Sequence, residues 1–275
     1  MDIYVRVDRS LDMITPQDLF RYLGRETWPL VFDVRAANDV KANSRFLPGA
    51  RQWLSGARSF PASQNRKLTV VYCATGCARS LEAAAALRKK GHRAEILEGG
   101  IEGWLKAGGP SVGGLLNSPS RWVTRARPKI DRIACPWLIR RFLDPAAEVF
   151  YADPAKIHAE ARKLKAVPFD IPGDAEYSHE GERCSFDYFI RHFEIRDPAL
   201  DELAVIVRGA DTARLDLAYP CAGLLGISLG LSALYPNDAV MLKKGMLVYD
   251  ALYAWIRHAR DERHNWPKGK AEKAA

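Results

Sequence analysis

The chain has 275 residues, 48% of them hydrophobic, 27% charged and 10% aromatic, a balance that excludes disorder, collagen and coiled coil and provides core for about two domains. Most of the net charge of +8 falls before residue 116, which suits an anionic ligand. The cations are scattered and form no stripe, so nucleic acid is not an expected partner.

Cys73, Cys77, Cys135, Cys184 and Cys221 make a poor disulfide framework, because an odd count strands one thiol in an oxidising compartment; a cytoplasmic setting is expected. The opening MDIYVRVDRS has no apolar stretch and predicts no signal peptide. Thr15-Pro16-Gln17-Asp18 is a helix start, with Thr15 as cap, Pro16 at the first helical position and Gly24 as the stop. Leu30 to Arg35 and Leu68 to Tyr72 are apolar, β-rich runs of the kind a parallel sheet buries on both faces, with turn chemistry at Leu47 to Ala50 between them. Ser80 to Lys90 reads as an alanine-rich helix closed by Gly91, and Ala94 to Leu97 as a short strand. Gly99-Gly100 and a helix through Trp104 follow. This alternation predicts a doubly wound α/β parallel sheet over residues 1–112.

Gly108 to Ser120 is too rich in glycine and proline for a long regular element and contains a linker, residues 113–120. Helical periodicity dominates afterwards, at Pro136 to Phe142, Ser185 to Phe193, Ala222 to Leu234 and Met246 to Arg260. Residues 121–260 are therefore expected to form a mostly α second domain, with a small strand component at Val149 to Tyr151, before a polar tail, 261–275. Leu217 to Asn237 carries no charge and is long enough to cross a bilayer. Its prolines, glycines and bracketing Asp216 and Asp238 favour a buried helix, so no membrane partner is expected.

Tyr72-Cys73-Ala74-Thr75-Gly76-Cys77-Ala78-Arg79-Ser80 carries the sharpest chemical signal. A cysteine leaving the C-terminal end of a parallel strand enters the crevice where open α/β sheets place ligands. Small residues at 74, 75, 76 and 78 let the backbone curl so that N–H groups face the sulfur, and the helix near Ser80 adds its positive end. These groups and Arg79 favour thiolate, making Cys73 the candidate nucleophile and Arg79 its catalytic partner. Ala74, Thr75, Gly76, Cys77, Ala78 and Ser80 are the candidate substrate-binding residues, since the same donors would hold an anion.

Asp33-Val34-Arg35, Leu47 to Ala50 (LPGA), Val70 to Gly76 (VVYCATG), Arg79 to Leu87 (RSLEAAAAL) and Leu97 to Trp104 (LEGGIEGW) resemble, in order and spacing, the rhodanese-like domains over about residues 11–112. The resemblance implies that Cys73 takes a sulfane sulfur as a persulfide and passes it to a thiol or cyanide acceptor. Three features depart from it. The loop from Cys73 to Arg79 is one residue longer than in most sulfurtransferase members, similar to phosphatase and arsenate-reductase relatives that enclose a tetrahedral oxyanion. Cys77 inside the loop is placed to resolve an oxidised or persulfidated Cys73. Phe46 stands where the family usually has histidine.

From Arg121 onward, RWVTRARPKIDRIACPWLIRRFLDP, PFDIPG (Pro168 to Gly173), SHEGERCSFD (Ser178 to Asp187), DPALDELAVIVRGADT (Asp197 to Thr212), AGLLGISLGLS (Ala222 to Ser232) and VYDALYAW (Val248 to Trp255) look like the C-terminal domain of the ChrB chromate-resistance proteins. That implies a role in chromate handling or response. Cys135 before Pro136 and Cys184 before Ser185 are expected at helix N-termini, and with His179 they form a candidate transition-metal set, against the alternative of buried structural cysteines. Arg140, Arg141, Arg208 and Asp211 are expected to make structural ion pairs.

The leading expectation is a rhodanese-like sulfurtransferase or thiol-dependent oxyanion-handling protein acting through Cys73, with a sulfur donor or oxyanion and a thiol acceptor or reductant as partners and no required cofactor. The alternative is a non-catalytic chromate or metal sensor with a passive rhodanese scaffold.

Overall fold

The computed structural model describes residues 13–53, 67–174 and 176–262; the opening segment and most of the expected tail lie outside them. Its first half contains β1 (Met13–Ile14), α1 (Pro16–Phe20), β2 (Leu30–Asp33), α2 (Ala37–Ala42), β3 (Ala50–Gln52), β4 (Leu68–Tyr72), α3 (Ala78–Lys89), β5 (Arg93–Leu97) and α4 (Gly100–Lys106). The strands form one parallel sheet in the order β1-β5-β4-β2-β3. Every residue of β4 is buried, as a central strand covered on both faces requires. Thr15 caps α1 as its position predicts, accepting from the Asp18 N–H at 3.1 Å.

The second half is mostly helical, but its sheet is larger than the sequence pattern indicates. β6 (Arg121–Arg125) lies between β7 (Glu148–Ala152) and β8 (Val167–Pro168), all parallel. Around it come α5 (Asp131–Leu138), a π-helical turn (Ile139–Leu143), α6 (Ile157–Leu164), α7 (Ser185–His192), α8 (Pro198–Asp211), α9 (Pro220–Leu234) and α10 (Asp238–His258).

Two helices differ from expectation. Pro136 lies inside α5 instead of opening a helix. It lacks the N–H that would reach the Arg132 carbonyl, and that carbonyl is served by the Tyr151 hydroxyl at 3.0 Å. The uncharged run forms α9, which is not buried all round. Cys221, Leu224, Ser228 and Ser232 make a buried stripe, whereas Ile227, Leu229 and Leu234 are exposed. Among the described residues no helix is long and apolar enough to cross a membrane.

The halves share one apolar core in which Leu19, Leu23, Trp28 and Trp104 join Trp137, Phe142 and Tyr253. Backbone pairing continues across them. Ser111 bridges Arg196, next to a Phe46–Val112 bridge within the first half, and the Gly49 N–H donates to the Phe142 carbonyl at 2.7 Å. Gly24 has a positive φ of 69°, and a Cβ there would lie 2.3 Å from the Tyr253 ring, so only glycine permits this approach. Arg45 fastens the seam, donating through Nη2 to the carbonyls of Ser111 (2.8 Å) and Glu194 (2.6 Å).

Removing that buried guanidinium leaves both carbonyls short of a donor. Arg45→Ala should therefore cost about 3 kcal/mol, read as a lower urea midpoint. Fluorescence and circular dichroism of the wild type should report one coincident transition, because the core is continuous.

Candidate functional site

β4 ends at Tyr72 in a buried polar knot that fixes where the next residue emerges. Tyr72 donates its hydroxyl proton to Asp33 Oδ2 at 3.1 Å, and Arg35 grips Asp33 through Nε and Nη2 at 3.0 and 2.6 Å. Burial opposes the Arg35 charge, but hydrogen bonds to Asp33 outweigh it and raise its pKa. Phe46, in place of the resemblance's histidine, lies under the Arg35 guanidinium at 5.1 Å and takes part in core packing.

Cys73 follows at 1% exposure, on the edge of an apolar cluster with Phe32, Val34, Val71 and Ala83. Its loop side is polar. Sγ accepts from the Gly76 N–H at 3.1 Å and the Cys77 N–H at 2.8 Å, and the thiol donates to Ser80 Oγ at 3.6 Å. Burial pushes the Cys73 pKa up, but hydrogen bonds from the Cys77 thiol and amide, with those of Ser80 and Gly76, win and bring it below the ordinary value.

α4 holds this geometry. The Ile101 and Glu102 N–H groups bind the carbonyls of Cys73 and Ala74 at 3.0 and 3.1 Å. Gly100, with φ of 58°, makes room, since a Cβ there would sit 2.4 and 2.5 Å from those oxygens. Gly76 turns the loop with φ of 89°. Ala74 is half-buried, Thr75, Gly76, Cys77 and Ala78 are exposed, and Ser80 is buried; Ser80 donates to the Cys77 carbonyl at 2.7 Å.

Arg79 is placed differently from expectation. It is exposed and pairs with Asp39 of α2 at 3.7 Å, and the largest influences on the Cys73 pKa are burial and the groups of Cys77, Ser80 and Gly76. α3 starts at Ala78, so the Arg79 side chain leaves the first helical turn toward α2.

In the second half, the candidate set of Cys135, His179 and Cys184 does not assemble as one group. Cys135 lies mid-helix and Cys184 at the N-cap of α7. Both are fully buried, and burial first, then nearby Asp131 and other carboxylates, pushes both thiols well above their ordinary pKa. His179 instead meets carboxylates. Its Nε2 lies 3.5 Å from Asp131 Oδ2, 3.5 Å from Asp170 Oδ1 and 3.2 Å from Asp211 Oδ2. The three carboxylates facing Nε2 push the His179 pKa up to about 12, while burial raises Asp131 to about 7 against the pull of His179. Asp211 is thus no partner of the arginines: Arg208 pairs with Asp187 and Arg141 with Asp250. Asp170 carries no sequence signal beyond its place in PFDIPG, and its role emerges from the fold.

Residues 15–107 match the model of the rhodanese-like domain, and residues 122–256 match that of the ChrB C-terminal domain. The chain joins a rhodanese-like domain to a ChrB C-terminal domain. Protein ChrB of Cupriavidus metallidurans is 31% identical over 141 residues, covering 51% of this chain and 42% of that protein. The chain therefore spans about two-fifths of that relative's length. Among solved structures, a rhodanese-related protein from Thermoplasma volcanium is 24% identical over 38% of this chain and 99% of its own, with a TM-score of 0.32. The thiosulfate sulfurtransferase of Pseudomonas aeruginosa is 29% identical over 37% of this chain and 19% of its own, with a TM-score of 0.30.

The rhodanese-like loop yields a direct test. The thiolate ultraviolet absorbance that is lost in Cys73→Ser should appear, as pH rises, below the ordinary pKa of a free thiol. Gly100→Ala should move it upward, because a displaced α4 amide frees the Cys73 carbonyl and the loop amides turn from the sulfur.

Proposed function

We propose that this protein is a sulfurtransferase of the rhodanese type, acting through a Cys73 persulfide in the service of chromate resistance. The observation that carries the reading is the pair of N–H groups, Gly76 and Cys77, directed at Cys73 Sγ at 3.1 and 2.8 Å. They stabilise negative charge on the nucleophile and would do the same for the persulfide's terminal sulfur.

In the first step the Cys73 thiolate attacks the outer sulfur of a sulfane donor. With thiosulfate, the donor S–S bond breaks, sulfite leaves with the bonding pair, and Cys73 carries the added sulfur. An acceptor thiolate or cyanide then takes the terminal sulfur and regenerates the Cys73 thiolate. Cys77, exposed and adjacent, supplies an internal exit, since its attack on Cys73 Sγ would release hydrosulfide and close a disulfide. No step needs a cofactor, and the chemistry suits a reducing cytoplasm, where the described thiols, all free, stay reduced.

The link to chromate rests on the ChrB C-terminal domain. The lengthened loop supports chromate itself as a second ligand: it is a tetrahedral dianion, and Cys73 and Cys77 closing to a disulfide would deliver two electrons and take Cr(VI) to Cr(IV), with a free small-molecule thiol supplying the third electron for Cr(III) and further thiols re-reducing the disulfide. A sensor in which the loop is passive predicts neither reaction.

Thiosulfate treatment of the purified chain should add one sulfur atom to the peptide containing Cys73, seen by mass spectrometry. Cys73→Ser should remove that adduct and lower thiosulfate:cyanide transfer at least ~100-fold. If Cys73→Ser leaves both sulfur transfer and chromate reduction at wild-type rates, the loop is not the engine.

A further inference from the structure

The His179 cluster has a geometry that hydrogen bonding alone does not satisfy. One imidazole nitrogen carries at most one proton, yet Nε2 faces oxygens of three different carboxylates at 3.5, 3.5 and 3.2 Å. All three contacts are longer than the roughly 2.7–2.9 Å of a well-made charge-assisted bond. Donors that share a cation at about 2.1 Å, in octahedral or tetrahedral geometry, stand about 3.0–3.4 Å apart. Of the observed separations, 3.2 Å falls within that range and the two of 3.5 Å lie about 0.1 Å beyond it, nearer to it than to the hydrogen-bond range.

A second observation points the same way. Asp131 is 1% exposed, and its Oδ2 accepts from the Ser185 N–H at 2.6 Å while facing His179. Its other oxygen, Oδ1, is buried with no hydrogen-bond partner among the described residues. A buried carboxylate oxygen left without a donor is costly, and a shared cation would satisfy it.

We propose that Asp131, Asp170 and His179, with Asp211 beside them, form a binding site for a divalent first-row transition cation. Atoms of the first three able to act as ligands already lie within 4.8 Å of one another. Two carboxylates and one imidazole are a donor set for ions such as Mn²⁺, Fe²⁺ or Zn²⁺ and not for Cu⁺, which prefers sulfur.

The supporting contacts orient the ligands as metal sites require. Ser185 Oγ donates to Asp170 Oδ1 at 2.8 Å, and Arg125 Nη2 to Asp170 Oδ2 at 3.0 Å. Arg132 approaches that same Oδ2 at 3.5 Å, so both arginines engage the oxygen turned away from His179. A cavity of about 460 Å³, lined by Asp170, His179, Asp211 and Lys129 among others, opens beside the cluster. Together with the exposed His179 side chain it gives a cation a route in from solvent.

The test uses the full chain, stripped with a chelator and titrated calorimetrically with Mn²⁺ alone and, separately, Zn²⁺ alone. One ion per chain is expected, with binding at least ~100-fold weaker in Asp131→Asn and in His179→Ala. Binding should persist in Cys135→Ser and in Cys73→Ser, so its failure is distinguishable from failure of the sulfur-transfer reading. His179 is on the surface, so His179→Ala carries the test if the buried Asp131→Asn does not fold. The proposal is overturned if neither ion binds stoichiometrically to the wild type, or if His179→Ala binds as the wild type does.

Discussion

Two hydrogen bonds from the start of α4, Ile101 N–H to the Cys73 carbonyl and Glu102 N–H to the Ala74 carbonyl, hold the reactive loop in register. A loop of small residues has many conformations, and the entropy of choosing one must be offset. Binding the two carbonyls on the α4 side fixes those peptide planes. The chain then turns at Gly76, whose amide points at the sulfur together with that of Cys77. Gly100 is indispensable because the contact is between backbones: any side chain would occupy the space the two oxygens fill. The reactivity of Cys73 thus depends on a helix some thirty residues further along the chain.

The other fixed point is the end of β4. Asp33, Arg35 and Tyr72 are buried together, and a buried ion pair persists only when its remaining donors are satisfied. Arg35 meets that demand by donating to the carbonyls of Asn43 and Arg45 at 2.6 and 2.8 Å. The segment so anchored leads through Arg45 to the seam with the ChrB-like half. Sheet, loop and second domain are therefore tied by one run of polar contacts beneath the crevice.

How much of this was legible follows from how local each feature is. The β4–loop–α3 unit could be read from the chain because an apolar β-rich run, small loop residues and an alanine-rich helix lie end to end. The His179 cluster could not, since Asp131, Asp170, His179 and Asp211 come from three separate segments and meet only when α5, α8 and the stretch after β8 pack. Cys135 misled for a similar reason: Pro136 reads as a helix start until Tyr151, from another strand, supplies the partner that lets the helix run through it. In α9 an apolar composition without periodicity did not reveal which face would be covered. The buried stripe, Cys221, Leu224, Ser228 and Ser232, is set by its neighbours, including Gly209, whose missing side chain admits the Cys221 sulfur.

Comparison of the buried cysteines separates burial from reactivity. Cys73, Cys135 and Cys184 are each almost wholly withdrawn from solvent, and in all three burial is the largest influence on the thiol and acts upward. At Cys135 and Cys184 the nearby charges are carboxylates, which add to that effect. At Cys73 the neighbours are hydrogen-bonding groups without charge, and their sum reverses the sign. Helix position does not decide the outcome, because Cys184 sits at the N-cap of α7 and is still driven toward the neutral thiol by Asp131 and Asp187. A helix terminus stabilises thiolate only where its amides reach the sulfur and no carboxylate competes. In the described structure that condition is met by Cys73.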